Sequence, residues 1–190
     1  MKPETEIKLS IGSAAAGHRL LRDAGFHVSA RSVFEANTVF DTPGLALRRR
    51  GCLLRVREAG RRCVLTYKGK PKPGRHKSRE ELEVEVSDAH TARAIFSGLG
   101  FEPVFRYEKF RTEYEQANGY GVGTLDETPI GCFLELEGPP RWIDETAKAL
   151  GFAASDYITE SYGELYRASC KRAGVAPTNM VFNRKFRKRA

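Results

Sequence analysis

Glu4, Glu6 and Lys8 alternate in Glu4-Thr5-Glu6-Ile7-Lys8, and Glu135 and Glu137 alternate in the same way far along the chain. Alternate residues of an extended chain share a face. Read as strands, the two segments carry charge on one side and Thr5, Ile7, Leu9, Leu134 and Leu136 on the other. Carboxylates that meet from two such strands could hold a hard divalent cation.

The same parity recurs between them. Arg55 and Arg57 alternate, then Thr66 and Lys68, then Arg79, Glu81, Glu83 and Glu85. Lys109 and Arg111 follow, then Thr124 and Asp126. The bases Lys8, Arg55, Arg57, Lys68, Arg79, Lys109 and Arg111 suit a polyphosphate, because guanidinium groups make planar paired contacts to phosphate oxygens and ammonium groups supply compact charge. The acids Glu4, Glu6, Glu81, Glu83, Glu85, Asp126, Glu135 and Glu137 suit Mg²⁺ or Mn²⁺. No Cys or His joins the set, which argues against zinc.

Two arrangements fit this parity. The apolar faces form the core and the charged faces are wet, or the charged faces line an interior and helices cover the apolar exterior. Blocks of like charge such as Glu81, Glu83 and Glu85 shift the balance towards the second. A charged interior must neutralise itself or bind something charged, since isolated buried charge is costly.

Positioning these residues needs strands over roughly 4–11, 33–41, 51–58, 62–69, 79–87, 104–116, 119–126 and 131–138. Ala59-Gly60-Arg61 and Asn118-Gly119 read as hairpin turns. Residues 69–77, with Pro71, Pro73 and Gly74, read as a mobile loop. Helices fill the gaps: from the cap Ser13 to Ala24, from Ser87 or Asp88 to Gly100 with an Ile95, Phe96 and Leu99 stripe, over 141–150, and over 160–173. The expected fold is α+β, an eight-stranded antiparallel closed β-barrel with a charged interior and helices packed outside.

The 190 residues suit one domain, taken as 1–174, followed by a basic tail over 175–190 that is expected to be disordered and dispensable for turnover. The net charge of +8 lies in residues 167–190, which hold eight Lys or Arg and no acid, so the body is neutral. Nucleic acid is an expected partner only through that tail. Apolar runs are too short to span a bilayer, which gives no membrane partner. The chain enters a charged strand with no signal peptide, so a cytoplasmic location with reduced Cys52, Cys63, Cys132 and Cys170 is expected. His18, His27, His76 and His90 have no ligand-like spacing and read as surface or helix residues.

These residues resemble the CYTH family, the triphosphate tunnel metalloenzymes, which includes class IV adenylyl cyclases, thiamine triphosphatases and inorganic triphosphatases. Its ExExK signature is Glu4-Thr5-Glu6-Ile7-Lys8. The resemblance continues through Phe40-Asp41-Thr42-Pro43, Leu54-Arg55-Val56-Arg57, Leu65-Thr66-Tyr67-Lys68-Gly69, Arg79-Glu80-Glu81-Leu82-Glu83, Lys109-Phe110-Arg111, Leu125-Asp126-Glu127, 131–137 and Ser161-Tyr162, covering about 4–166. Before the Phe-Asp-Thr-Pro run the chain reads Glu35-Ala36-Asn37-Thr38-Val39, a departure from the family's Gln-x-Asp-x-Tyr.

The resemblance implies a triphosphate tunnel. It implies triphosphate contacts from Lys8, Arg55, Arg57, Lys68, Lys109 and Arg111, to which parity adds Arg79. It implies metal contacts from Glu4, Glu6, Glu135 and Glu137, with Asp126 and Glu81 or Glu83 nearby. Catalytic roles are expected of Glu6, Lys8, Arg57 and Lys68. The expected function is Mg²⁺- or Mn²⁺-dependent hydrolysis of inorganic, thiamine or nucleoside triphosphate by a monomer or homodimer. The alternatives are class IV adenylyl cyclisation of ATP and non-catalytic binding of polyphosphate or RNA 5′-triphosphate ends.

Overall fold

In the computed structural model, residues 3–117 and 119–183 are described. The strands are β1 (Glu4–Ile11), β2 (His27–Asp41), β3 (Leu53–Ala59), β4 (Arg62–Lys68), β5 (Lys77–Arg79), β6 (Glu81–Val86), β7 (Glu102–Glu115), β8 (Val122–Thr128) and β9 (Gly131–Glu137). The helices are α1 (Ala14–Asp23), α2 (Ala46–Arg49), α3 (Ala89–Gly98), α4 (Pro140–Ala149) and α5 (Tyr162–Ala173). One antiparallel sheet runs β5-β1-β9-β8-β7-β2-β3-β4-β6.

Nine strands replace the expected eight because the run over 79–87 breaks at Glu80. Its first part, with Lys77 and Ser78, pairs with β1, and its second part pairs with β4. The two sheet edges are thus joined by a single residue, and the sheet curls into a nearly closed barrel. Closure removes long exposed edges, as expected. The Glu80 carbonyl accepts from the Gly69 amide at 2.9 Å, tying the break to the end of β4.

Alternation decides which face is inside. Ile7, Leu9, Leu125, Leu134 and Leu136 point outward and pack with Leu21 of α1 and Trp142, Ile143 and Ala147 of α4. Phe40, Val56 and Cys63 do the same beneath Phe96 of α3. Of the expected α3 stripe, Phe96 is packed, whereas Ile95 and Leu99 are exposed. Caps follow the sequence: Ser13 accepts from Ala16, Asp88 from His90 and Thr91, and Gly174 ends α5 with φ 67°.

Several boundaries move. β2 begins at His27 because register shifts let its irregular start keep pairing with β7. β3 starts at Leu53, after the short α2 and Gly51. β8 starts at Val122: a Cβ on Gly121 would lie 2.4 Å from the Trp142 ring, so this stretch is shaped by close packing rather than by pairing. The hairpin turn at Gly60 is as expected; in the other expected turn, Asn118 lies outside the described residues.

Residues 175–183 correct the expectation of a disordered tail. β8 covers β7 only from Phe110 onward, and the C-terminal segment takes the vacant stretch of that edge. Glu108 N donates to Met180 O at 2.9 Å, and Met180 N donates to Arg106 O at 3.0 Å. Met180 is fully buried against Tyr107 and Tyr162. The rest of the expected tail, 184–190, lies outside the described residues. No helix among the described residues is long and apolar enough to cross a membrane.

Candidate functional site

The inward faces surround a cavity of about 1100 Å³. Of the expected residues, Glu4, Glu6, Lys8, Arg55, Arg57, Lys68, Arg79, Glu81, Glu83, Lys109, Arg111, Glu135 and Glu137 line it. Asp126 lies just behind, fully buried, and Glu85 sits at the rim against Arg62. The charged faces are therefore inside, which settles the two arrangements left open by parity.

On the β7–β8 side the charges satisfy one another. Asp126 accepts from Lys109 at 2.8 Å, from Arg111 Nε at 2.7 Å and from Arg111 Nη2 at 2.6 Å. Tyr162 of α5 donates to it at 2.7 Å. Lys8 and Lys109 both reach over the Tyr162 ring, with their Nζ atoms 5.4 and 5.2 Å from its centroid. Burial, then the Asp126 and Glu135 charges, push the Tyr162 hydroxyl well above its ordinary range, so it remains a donor. Tyr162 packs in an apolar cluster with Phe133, Tyr107 and Met180, of which Tyr107 and Tyr162 reach the cavity.

Lys8 lies 3.4 Å from Glu6 and 3.3 Å from Glu135, and Glu135 also pairs with Arg111. Burial opposes the charge on Glu6, but Lys8, Lys68 and Lys77 together outweigh it and the carboxyl falls to about 2. Across the seam between sheet edges, Lys68 binds Glu4 at 2.8 Å, and within the β4–β6 pair it binds its register partner Glu81 at 2.5 Å. Thr66 donates to Glu83 at 2.7 Å, and Arg55 and Arg57 each approach the same oxygen at 3.4 Å.

β5 differs. Arg79 stands across the ladder from Glu4, and Lys77 from Glu6. Both cations are more than nine-tenths buried. Among the described residues neither side chain closes an ion pair, and Arg79 Nε has no hydrogen-bond partner. Burial, with Lys8 and Arg79 nearby, pulls Lys77 down to about 8. Burial lowers Arg79 as well.

Glu137 shows the opposite imbalance. It lies directly across β1 from Glu6, a like-charge pairing that disfavours the ladder. Its partial burial and the neighbouring Glu4 push it up to about 7 despite Lys68. Among the described residues no ready-made cluster of three or more metal-binding side chains is present. The crowding of Glu137 with Glu4 and Glu6 nevertheless matches the oxygen donors of Mg²⁺ or Mn²⁺, whose charge would relieve it. Asp126 is already saturated by cations.

Sequence reasoning missed four inward residues. Lys77 was assigned to a loop, although it obeys the Arg79 parity. Glu35, within the divergent stretch of β2, contacts Arg57 at 3.8 Å and Lys109 at 3.6 Å. Its carboxyl falls to about 2 because Lys109, Arg111 and Arg57 outweigh burial. Asn37 is fully buried, with both amide atoms unpaired among the described residues. Tyr107 accepts from Arg55 at 3.1 Å. The alternation of 35, 37 and 39 was a usable signal for β2, and Tyr107 shares the parity of Lys109 and Arg111 on the expected 104–116 strand, although its uncharged side chain does not stand out.

The Phe40-Asp41-Thr42-Pro43 motif shapes the cavity edge. Buried Asp41 accepts from the amides of Thr42, Leu47 and Arg48 at 2.8–2.9 Å, starting α2. Leu45, the sole non-glycine with positive φ among the described residues, is held at 55° beside the cavity.

The CYTH domain model matches residues 2–162, and the chain belongs to that family. A Methanocaldococcus jannaschii protein provisionally named an adenylate cyclase is 30% identical over 172 residues, covering 85% of this chain and 97% of that protein. A Pyrococcus horikoshii structure aligns with TM-score 0.73 and 25% identity, covering 87% of this chain and 99% of the other. A Hippeastrum structure aligns with TM-score 0.61 and 22% identity over 93% and 98% of the two chains. That protein is described as a proposed adenylyl cyclase with dominant triphosphatase activity.

Proposed function

We propose that this chain is a divalent-metal-dependent triphosphate phosphohydrolase. The supporting observation is the pair of buried cations on β5, Lys77 and Arg79, which face the cavity without ion-pair partners among the described residues. Buried charge without a partner is expensive, and a polyanion in the cavity would supply it. Arg55, Arg57, Lys68, Lys8, Lys109 and Arg111 surround the same space.

In this reading Lys77 and Arg79 bind phosphate oxygens directly. Arg55 and Arg57 turn from Glu83 towards the substrate and offset charge on the transferring and leaving groups. Lys68 moves between Glu4, Glu81 and phosphate. Glu4, Glu6 and Glu137 would hold Mg²⁺ or Mn²⁺, which supplies Lewis acidity to phosphate and to water. Glu6 stays ionised at neutral pH through Lys8, so it orients water by accepting a hydrogen bond. Water oxygen bonds to the terminal phosphorus, and the bridging P–O bond breaks with its electron pair leaving on the remaining diphosphate oxygen. The water protons stay on the orthophosphate product, from which one can pass to solvent.

The cyclase reading is favoured by the name of the M. jannaschii relative. It differs in which phosphorus faces the nucleophile: the ribose 3′-hydroxyl attacks the α-phosphorus and pyrophosphate departs. The test is a panel of inorganic, thiamine and nucleoside triphosphates with Mg²⁺ and Mn²⁺, with products identified. Orthophosphate release is the expected result. Cyclic AMP with pyrophosphate from ATP overturns hydrolysis in favour of cyclisation. Tight metal-independent binding without turnover overturns both.

A further inference from the structure

Asp144 stands on α4, outside the barrel, with its carboxylate fully engaged. Oδ2 accepts from Arg75 at 2.5 Å, and Oδ1 accepts from His76 Nε2 at 2.9 Å and from the Tyr157 hydroxyl at 3.0 Å. An ionised carboxylate only accepts, so His76 Nε2 carries the proton in this contact. Burial opposes the Asp144 charge, yet the bonds from His76 and Tyr157 hold the carboxyl below its ordinary range. Burial and the bond to Asp144 push Tyr157 up to about 12. The His76 and Tyr157 rings lie 5.9 Å apart. His76, expected to be a surface residue, has a side chain only 11% exposed.

These contacts join three separate segments at one edge of β1. Tyr157 precedes Ile158, which exchanges two 2.9 Å backbone hydrogen bonds with Lys8. His76 precedes Lys77, which pairs with Glu6 two residues earlier on the same edge. β5 has three residues and one ladder partner among the described strands, supplemented by the Thr5–Ser78 hydroxyl contact at 3.1 Å and by Lys72 N donating to Ser78 O at 2.8 Å, with Gly69 N on Glu80 O just beyond its end. A strand this short is weakly held by its own ladder. It must nevertheless keep Lys77 and Arg79, which have no ion-pair partner among the described residues, pointed into the cavity.

We propose that Asp144 is a positioning residue: by clasping Arg75, His76 and Tyr157 it holds β5 on β1 and so presents Lys77 and Arg79 to the triphosphate. The identity of the anion rests on the phosphohydrolase reading; the clasp does not. Residues 69–77 are then a tethered strap rather than a free loop. Asp144 never touches substrate, so its removal acts through the order of β5 and through binding more than through the chemical step.

Full-length Asp144→Ala and the milder Tyr157→Phe test this by two measurements, amide hydrogen exchange and calorimetric binding of inorganic triphosphate with Mg²⁺. Asp144→Ala should speed exchange over residues 70–79 by about tenfold or more while β7 keeps its protection. Triphosphate binding should weaken by about tenfold, and KM should rise more than kcat falls. Tyr157→Phe should move both readouts the same way by less, and Asp144→Asn, which retains an acceptor oxygen, should restore part of each. Unchanged exchange over 70–79 overturns the clasp whatever the substrate. Faster exchange with wild-type affinity also overturns the proposal, because β5 then does not deliver the cations. If the wild-type chain binds no triphosphate, the phosphohydrolase reading fails and the clasp stands or falls on exchange alone.

Discussion

The two sides of the cavity solve the same electrostatic problem in opposite ways. On the β7–β8 side, Asp126 collects Lys109, Arg111 and Tyr162 and leaves little charge unspoken for. On the β5–β1 side, Lys77 and Arg79 lack ion-pair partners among the described residues, and Glu137 faces Glu6. A satisfied network fixes the shape of the barrel. An unsatisfied one retains interaction energy for a ligand. The contrast divides the charged residues into those that build the cavity and those free to act in it.

Asp126→Ala is the most severe way to break the contrast. It strands Lys109 and Arg111 in the buried side, and stability should fall by about 3–5 kcal/mol. Denaturant unfolding checks this; a loss close to zero would show that the network is not a strut. Truncation after Gly174 comes next. It removes Met180 from behind Tyr107 and uncovers the β7 edge, with a loss of about 2–5 kcal/mol, the range for emptying a buried methionine position. Turnover should drop as well, since Tyr107 holds Arg55. Removing only 184–190 and obtaining the same loss would place the effect elsewhere.

Arg79→Ala and Lys77→Ala should show the reverse profile. Stability should change little, while triphosphate affinity falls about 10- to 100-fold, the worth of a charge-assisted contact of about 1.5–3 kcal/mol. Thermal melts and calorimetry together test it, and a large loss of stability without loss of affinity would reverse the assignment of this side.

Glu137→Gln is the smallest effect on the fold. The folded-state carboxyl is raised to about 7. A raised acid contributes stability that is full below its unfolded value, near 4.5, and is lost as pH rises through 7. Without divalent metal, the variant should therefore match or exceed wild type at pH 8, by less than about 1 kcal/mol because the group reaches solvent. Its Mg²⁺-dependent turnover should nonetheless disappear. Retained turnover with Mg²⁺ would remove Glu137 from the metal set.

Much of the site was legible because strand alternation is a local property. Glu4, Glu6 and Lys8 must share a face wherever their strand goes, and the same holds for Arg55 with Arg57 and Glu135 with Glu137. Lys77 was hidden by the Pro- and Gly-rich stretch before it, which reads as loop until β1 supplies a partner. The tail misled for a related reason. Its charge pattern speaks for solvation, but Met180 finds an unpaired edge of β7 that only the finished sheet creates.

The sequence by itself determined the charged and apolar faces, the caps that start and stop the helices, and the set of side chains able to meet phosphate and metal. These follow from backbone periodicity and side-chain chemistry within a few residues. Only the tertiary structure decided that the charged faces turn inward, that the barrel closes through a break at Glu80, and that Asp126 is saturated while Arg79 is not. Those outcomes depend on which distant strands become neighbours and on the distances between their side chains, to which neither periodicity nor composition is sensitive.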